Sequence, residues 1–199
     1  YKQRVSMFEG VKSKEGAVVF LGDSITEGGS WAELFDNHNI LNRGIGGDTT
    51  EGVLNRLGEV IRHQPSKLFL MIGTNDIGFG IHSEVIVKNH ESILQMIIRD
   101  SPQTEIFVQS VLPVNLSATS HFPHNNAGIV KLNQKIEGLC LNMNLRYINL
   151  QQHFSDENGN LKPELTNDGL HLLGSGYLLW KELINEKIDA QKKPQFESN

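Results

Sequence analysis

The sequence predicts an α/β protein, a three-layer α/β/α sandwich built around a five-stranded parallel sheet. Short apolar runs of strand length alternate along the chain with longer segments whose apolar residues recur at helical spacing. This alternation is typical of right-handed βαβ units, in which helices cover both faces of a parallel sheet. The chain has 199 residues, 38% of them apolar, which is enough for the core of one such domain.

Five apolar runs are the expected strands, because each is too short to be a buried helix. In chain order they are 17–21, 40–42, 68–72, 106–109 and 146–148. Helical spacing of apolar residues marks three of the segments that follow them, 53–61, 86–97 and 173–188.

The domain organisation follows from the absence of internal repeats, low-complexity tracts and Pro/Gly/Ser-rich linkers. We therefore expect one domain over 1–199. Its first 14 residues are expected to form a docked helix or arm, and 190–199 a loose polar tail.

Composition and charge exclude several classes of protein. A net charge of −5 without a basic patch argues against nucleic acid as a partner. No run of 18 apolar residues occurs, so we expect no membrane span. The single cysteine, Cys140, can form neither an intrachain disulfide nor a CxxC site, and its helical spacing predicts a packed core thiol.

The chain begins at Tyr1 rather than at Met. We expect that a preceding segment was removed, either by processing or by truncation. Cleavage of an export signal would leave this start, so a periplasmic or secreted location is favoured over a cytoplasmic one. The sequence is compatible with an oligomer.

Residues suited to catalysis follow the first two predicted strands, at the edge where open parallel sheets bind ligands. Ser24 opens a helix after the first strand, where it could be a nucleophile or merely cap the helix. Three glycines after the second strand, at 44–47, could let the backbone approach a ligand or simply form a flexible turn capped by Asp48. Thr49 stands where a dinucleotide fingerprint would need glycine, so that motif is excluded.

Further candidates follow the third and fifth strands. Asn75 could donate an N–H to an oxyanion, although an Asn-Asp pair is also common in turns. Asp168 and His171 are three residues apart at the entry to the last helix, so the carboxylate could orient the imidazole as a general base. Together with Ser24 these residues complete the set that acyl transfer needs. The G-x-S-x-G nucleophile elbow of α/β-hydrolases is absent.

These blocks of residues resemble the SGNH hydrolase family, also called the GDSL-like lipase/esterases. The four blocks are 22–24, 44–48, 73–76 and 168–171, and they occur in the family order. The Gly-Ile-Gly-Gly-Asp-Thr run of the second block is similar to the branch containing the platelet-activating-factor acetylhydrolase catalytic subunits. Ile25 stands where the family name has leucine.

The resemblance implies a flavodoxin-like sandwich, a Ser-Asp-His triad, and no metal or other cofactor. By position, Ser24 would be the nucleophile, His171 the general base and Asp168 the residue that orients it. The oxyanion hole would combine the backbone N–H groups of Ser24 and Gly47 with the side chain of Asn75. The partner would be a small-molecule ester.

We therefore expect a serine esterase for short-chain esters, above all acetyl esters, with acetylated carbohydrate as the leading natural substrate. The expected pocket walls are 112–126 and 149–167, and the first of these mixes apolar Val114 and Leu116 with polar residues. Such a wall suits a small acyl group better than a long lipid tail.

Two alternatives remain open. One is a non-catalytic flavodoxin-like module that binds a small ligand, and the other is a lysophospholipase, thioesterase or peptidase with the same triad. A metal site is not expected: His121 and His124 have a spacing seen in metal sites, but Pro123 breaks the helix that such a pair needs.

Overall fold

The computed structural model describes residues 1–118 and 125–189, and its centre is an all-parallel five-stranded sheet with the order β2-β1-β3-β4-β5. The predicted fold class is confirmed. The strands are β1 (Val18–Gly22), β2 (Ile40–Gly44), β3 (Lys67–Met71), β4 (Glu105–Gln109) and β5 (Arg146–Ile148). The expected tail at 190–199 lies outside the described residues, and one domain over 1–199 stays a prediction.

Helices connect the strands and cover both faces of the sheet. They are α1 (Lys2–Gly10), α2 (Ser24–Glu27), α3 (Trp31–Leu34), α4 (Thr50–Asn55), α5 (Leu57–Ile61), α6 (Thr74–Gly78), α7 (Ser83–Asp100), α8 (Asn126–Asn142), α9 (Gln151–Phe154) and α10 (Gly174–Asp189). In the described part of the chain, none of them is both long and apolar enough to cross a membrane.

A stack of aromatic rings fills one face of the sheet. Phe20, Phe69 and Phe107 are paired in register on β1, β3 and β4, with ring centroids 5.0 and 4.7 Å apart. Trp31 of α3 stacks on Phe20 at 4.1 Å, and Trp180 of α10 meets Trp31 edge-on at 4.8 Å. Helices α3 and α10 therefore cover this face together.

The remaining long helices cover the opposite face, where α7 packs against both α4 and α8. Right-handed crossovers require that these two groups of helices lie on opposite faces of the sheet. The chain moves in one direction across the sheet from β1 to β2, and in the other direction from β2 through β3 and β4 to β5. Cys140 of α8 is fully buried there, as its spacing predicts, and burial raises the pKa of its thiol to about 11.

The reversal of strand order also positions the candidate site. The connection from β1 leads to one side of the sheet and the connection from β3 to the other, which leaves a crevice at their carboxyl ends. Ser24 follows β1 and Asn75 follows β3, so both residues lie at this crevice.

Candidate active site

Ser24 is the first residue of α2, a helix of only four residues that begins straight after β1. The Asp23 side chain caps the helix by accepting the Ile25 N–H at 3.0 Å. At the other end, Asn42 Nδ2 donates to the carbonyls of Thr26 and Glu27 at 3.0 Å each. Because so short a helix is unstable alone, these outside contacts hold Ser24 in place.

Gly44 explains why β2 can end against α2. A Cβ atom at Gly44 would lie only 2.1 Å from the Glu27 nitrogen, so any other residue would push the strand away from the helix. This close approach brings the glycine turn that follows β2 alongside Ser24.

Ser24, His171 and Asp168 form one hydrogen-bonded chain. The Ser24 Oγ–His171 Nε2 distance is 2.9 Å, and the His171 Nδ1–Asp168 Oδ2 distance is 2.7 Å. With the Nδ1 proton donated to the carboxylate, Nε2 is free to accept the serine proton. The predicted nucleophile, base and orienting carboxylate are thus brought together from opposite ends of the chain.

The Asp168 carboxylate is held by its own loop. Its Oδ1 accepts the backbone N–H groups of Leu170 at 2.9 Å and His171 at 2.8 Å, while Oδ2 faces the imidazole. Burial acts to raise the pKa of Asp168, but the hydrogen bonds from the His171 side chain and the two N–H groups outweigh it and lower this pKa to about 2. The carboxyl therefore stays ionised beside the imidazole.

The position of this turn agrees with the sequence, in which helical spacing begins at Leu173. Helix α10 begins at Gly174, and Asp168 and His171 lie in the turn before it. Gly169 has a φ of +82°, which favours glycine, and its N–H donates to Thr166 Oγ1 at 2.9 Å. The turn lets the carboxylate fold back onto the ring three residues later.

The glycine turn after β2 presents a free donor. The Asp48 N–H donates to the Ile45 carbonyl at 3.1 Å, and Gly47 has a φ of +74°, as in a type II turn. Across 1–118 and 125–189, no acceptor binds the backbone N–H of Gly47 or of Ser24. Both groups can therefore bind a ligand oxygen.

Asn75 is fixed beside this turn. Its side chain is buried, and Nδ2 donates one proton to the Asp48 carbonyl at 2.8 Å, which leaves the second N–H for a ligand. The adjacent Asp76 does not cap its own turn. It accepts the Thr50 N–H at 3.0 Å and the Thr50 hydroxyl, and so ties α6 to the start of α4.

Two residues that hold the site together, Glu27 and Arg56, are not marked by any motif in the sequence. Glu27 Oε2 accepts the Gly46 N–H at 2.7 Å, and Arg56 Nε donates to Asp48 Oδ2 at 2.8 Å with both side chains buried. Isolated Glu and Arg residues are usually solvated, and only the fold shows that these two side chains hold the glycine turn by hydrogen bonds.

The expected pocket wall after β4 is partly wrong. Val114 is fully buried in the core, as are Val111 and Leu112, because this segment packs inward after leaving β4. The Asn115 N–H donates to the Gly169 carbonyl at 2.7 Å, so the segment is fixed against the Asp168 turn. Leu116 is half exposed and remains available as a wall residue.

Among the described residues, metal-ligating side chains do not gather near this site. No group of three or more His, Cys, Asp or Glu suited to a metal ion occurs within the two described ranges. His121 and His124, the pair with a spacing seen in metal sites, lie outside them.

Comparison with known proteins agrees with this arrangement. The family model of the GDSL-like lipase/acylhydrolases matches residues 20–179. Platelet-activating factor acetylhydrolase IB subunit alpha2 from Rattus norvegicus is 34% identical over 184 residues, which cover 89% of this chain and 78% of that protein.

Two solved structures are also similar. A Streptococcus pneumoniae protein described as a platelet activating factor has a TM-score of 0.86 at 32% identity, covering 94% of this chain and 92% of that one. A GDSL-like lipase from Bacteroides thetaiotaomicron has a TM-score of 0.81 at 27% identity, covering 95% and 97%. Motif order, sheet topology and sequence identity agree, and this chain belongs to the GDSL-like lipase/acylhydrolase family as an esterase or acylhydrolase.

Proposed function

We propose that this protein hydrolyses short-chain carboxylic esters, acetyl esters above all, through an acyl-enzyme on Ser24. The observation that carries the proposal is the chain of hydrogen bonds from Ser24 through His171 to Asp168, at 2.9 and 2.7 Å. Both links are short enough for proton transfer without rearrangement of the side chains.

In the first half of the reaction, His171 Nε2 takes the hydroxyl proton as Ser24 Oγ attacks the ester carbonyl. Asp168, ionised and bonded to Nδ1–H, stabilises the imidazolium that forms. The imidazolium then gives its proton to the alcohol oxygen as the C–O bond breaks. Water, activated by the same imidazole, hydrolyses the acyl-enzyme and restores the serine.

The negative charge that forms on the carbonyl oxygen needs donors already in place. The free N–H groups of Ser24 and Gly47 and the second N–H of Asn75 would supply three. Because the surrounding bonds hold these donors before substrate binds, they favour the tetrahedral intermediate over the planar ester.

The preference for short acyl chains rests on the loop after β4. The side chains of Val111, Leu112 and Val114 in this loop are buried in the core, so they cannot line a slot for a long alkyl chain. A long acyl chain binds well only where an apolar slot buries it, and each buried methylene then contributes about 0.8 kcal/mol to the free energy of binding. The acetylhydrolase name of the 34% identical rat relative supports the same preference, and carbohydrate as the alcohol portion stays a prediction.

The central test combines Ser24→Ala with a fluorophosphonate probe. We expect wild type to be labelled at Ser24 and the variant to be folded, unlabelled and inactive. A folded Ser24→Ala protein that still hydrolyses p-nitrophenyl acetate would overturn the proposal.

Acyl preference is tested by kcat/KM across p-nitrophenyl esters from acetate to palmitate. We expect a maximum at acetate or its nearest homologues. A maximum at eight carbons or more would refute the short-chain proposal and favour a lysophospholipase. Matched thioester and amide substrates test the thioesterase and peptidase alternatives.

A further inference from the structure

The glycine turn beside Ser24 is held from outside by a carboxylate. Gly46 donates its N–H to Glu27 Oε2 at 2.7 Å, although Gly46 itself is exposed. A Cβ atom at Gly46 would lie 3.3 Å from this oxygen and 4.0 Å from Ser24 Cβ, so carboxylate, turn and serine are immediate neighbours.

This contact restricts the backbone conformation of Gly46, the first of two consecutive glycines in the turn. Two consecutive glycines can adopt many backbone conformations, and the Gly47 N–H points in a different direction in each. Holding the Gly46 N–H fixes the Ile45–Gly46 peptide unit, which is joined at Gly46 Cα to the unit that carries the Gly47 donor. Glu27 is therefore suited to aim that donor.

The same carboxylate carries an electrostatic disadvantage. A negative charge beside the place where an oxyanion develops opposes the reaction. Arg4 offsets it: its Nε lies 2.9 Å from Glu27 Oε1, as an ion pair whose N–H is not aligned for a hydrogen bond. Arg4 therefore acts on Glu27 by neutralising its charge, and its guanidinium also lies over the Phe8 ring at 4.8 Å.

Arg4 reaches this position because α1 is docked firmly on the body of the protein. Phe8 is buried, and its ring lies under the Arg43 guanidinium at 4.5 Å. The Phe8 carbonyl accepts from Arg62 at 2.7 Å, and the Tyr1 hydroxyl donates to the Gly52 carbonyl at 2.8 Å. Both ends of α1 are therefore anchored to the body of the protein.

We propose that Arg4 and Glu27 are a positioning pair: Glu27 aims the Gly47 donor, and Arg4 keeps the Glu27 charge from opposing the oxyanion. This inference rests on the proposed esterase function. It makes the N-terminal helix, which lies outside the four sequence blocks, part of the apparatus that stabilises the transition state.

The experiment compares kcat and KM for p-nitrophenyl acetate in Arg4→Met, Glu27→Gln, the double variant and Glu27→Ala. We expect Arg4→Met to lower kcat about tenfold with KM within about twofold, less than the loss of a whole oxyanion donor. Glu27→Gln should stay within about threefold of wild type, because its amide oxygen still accepts the Gly46 N–H. Glu27→Ala should lose about tenfold in kcat, since that acceptor is gone.

The double variant separates positioning from mere stability. Because Glu27→Gln removes the uncompensated charge, we expect it to restore the kcat of Arg4→Met to within about threefold of wild type. The defect of Arg4→Met should also shrink in high salt, since the pair is partly exposed and can be screened. A double variant as slow as Arg4→Met would overturn the proposed role of charge.

Matched controls come from an exposed ion pair on other helices, between Lys135 of α8 and Glu84 of α7. Lys135→Met and Glu84→Gln should leave kcat unchanged. Ser24→Ala is measured in parallel. If it stays active, the proposed function is wrong, whereas an inactive Ser24→Ala with an unaffected Glu27→Ala and Arg4→Met refutes the positioning pair alone.

Discussion

Arg56 holds Asp48 from inside the protein, with its Nε 2.8 Å from Asp48 Oδ2 and both side chains almost fully buried. The same guanidinium donates to the carbonyls of Gly22 at 3.1 Å and Arg43 at 2.9 Å, near the ends of β1 and β2. The Asp48 carbonyl in turn accepts from Asn75. One buried cation thus connects three of the four segments that build the site.

Replacing Arg56 with Met should therefore destabilise the protein strongly. Asp48 would be left as a buried carboxylate without its partner, and breaking a buried pair in this way costs about 3–5 kcal/mol. The free energy of unfolding in urea measures the loss. The double variant Arg56→Met/Asp48→Asn should recover part of it, and a single variant as stable as wild type would contradict this account.

Asn75→Ala should lower kcat by about 10²–10³ and change KM little, since one oxyanion donor is lost. Asn75→Asp is the matched variant, because it keeps the shape of the side chain but has no N–H to donate. Melting temperatures separate the catalytic loss from the loss of the bond to the Asp48 carbonyl. A kcat within threefold of wild type would assign Asn75 a structural role only.

The stability of the protein should depend on the ionisation of Asp23, which is buried behind Ser24. Burial raises the pKa of this carboxyl to about 7, and the nearby Asp48 adds to the effect while the Ile25 N–H opposes it. Its Oδ2 finds no partner anywhere in the described ranges. An unfolded chain would ionise the same group near pH 4.

Between about pH 4 and 7 the folded state therefore binds more protons at Asp23 than the unfolded state, so this group makes stability fall as pH rises. Asp23→Asn cannot ionise, and its amide oxygen can still accept the Ile25 N–H. We expect the variant to match wild type at pH 4 and to exceed it by on the order of 4 kcal/mol at pH 8. Urea unfolding across this range provides the measurement, and parallel stability curves for the two proteins would refute the assignment.

Much of the fold was predictable because its signals are local. Apolar runs and helical spacing depend only on which residues are neighbours along the chain, and no strand end moved by more than two residues. The start of α10 at Gly174 was predictable as well, because helical spacing begins at Leu173. What this spacing does not record is the turn at Gly169 that folds Asp168 back onto His171.

The order of strands and helices, the positions of Ser24, Gly47 and Asn75 after strands, and the position of Asp168 and His171 before the last helix all follow from the amino-acid sequence. Packing in three dimensions sets which polar groups hold these residues: Glu27 reaches Gly46, and Arg56 reaches Asp48. It also decided that Val114 belongs to the core rather than to a pocket wall. Burial and the choice of hydrogen-bond partner depend on what packs nearby in space, which neither periodicity nor residue type records.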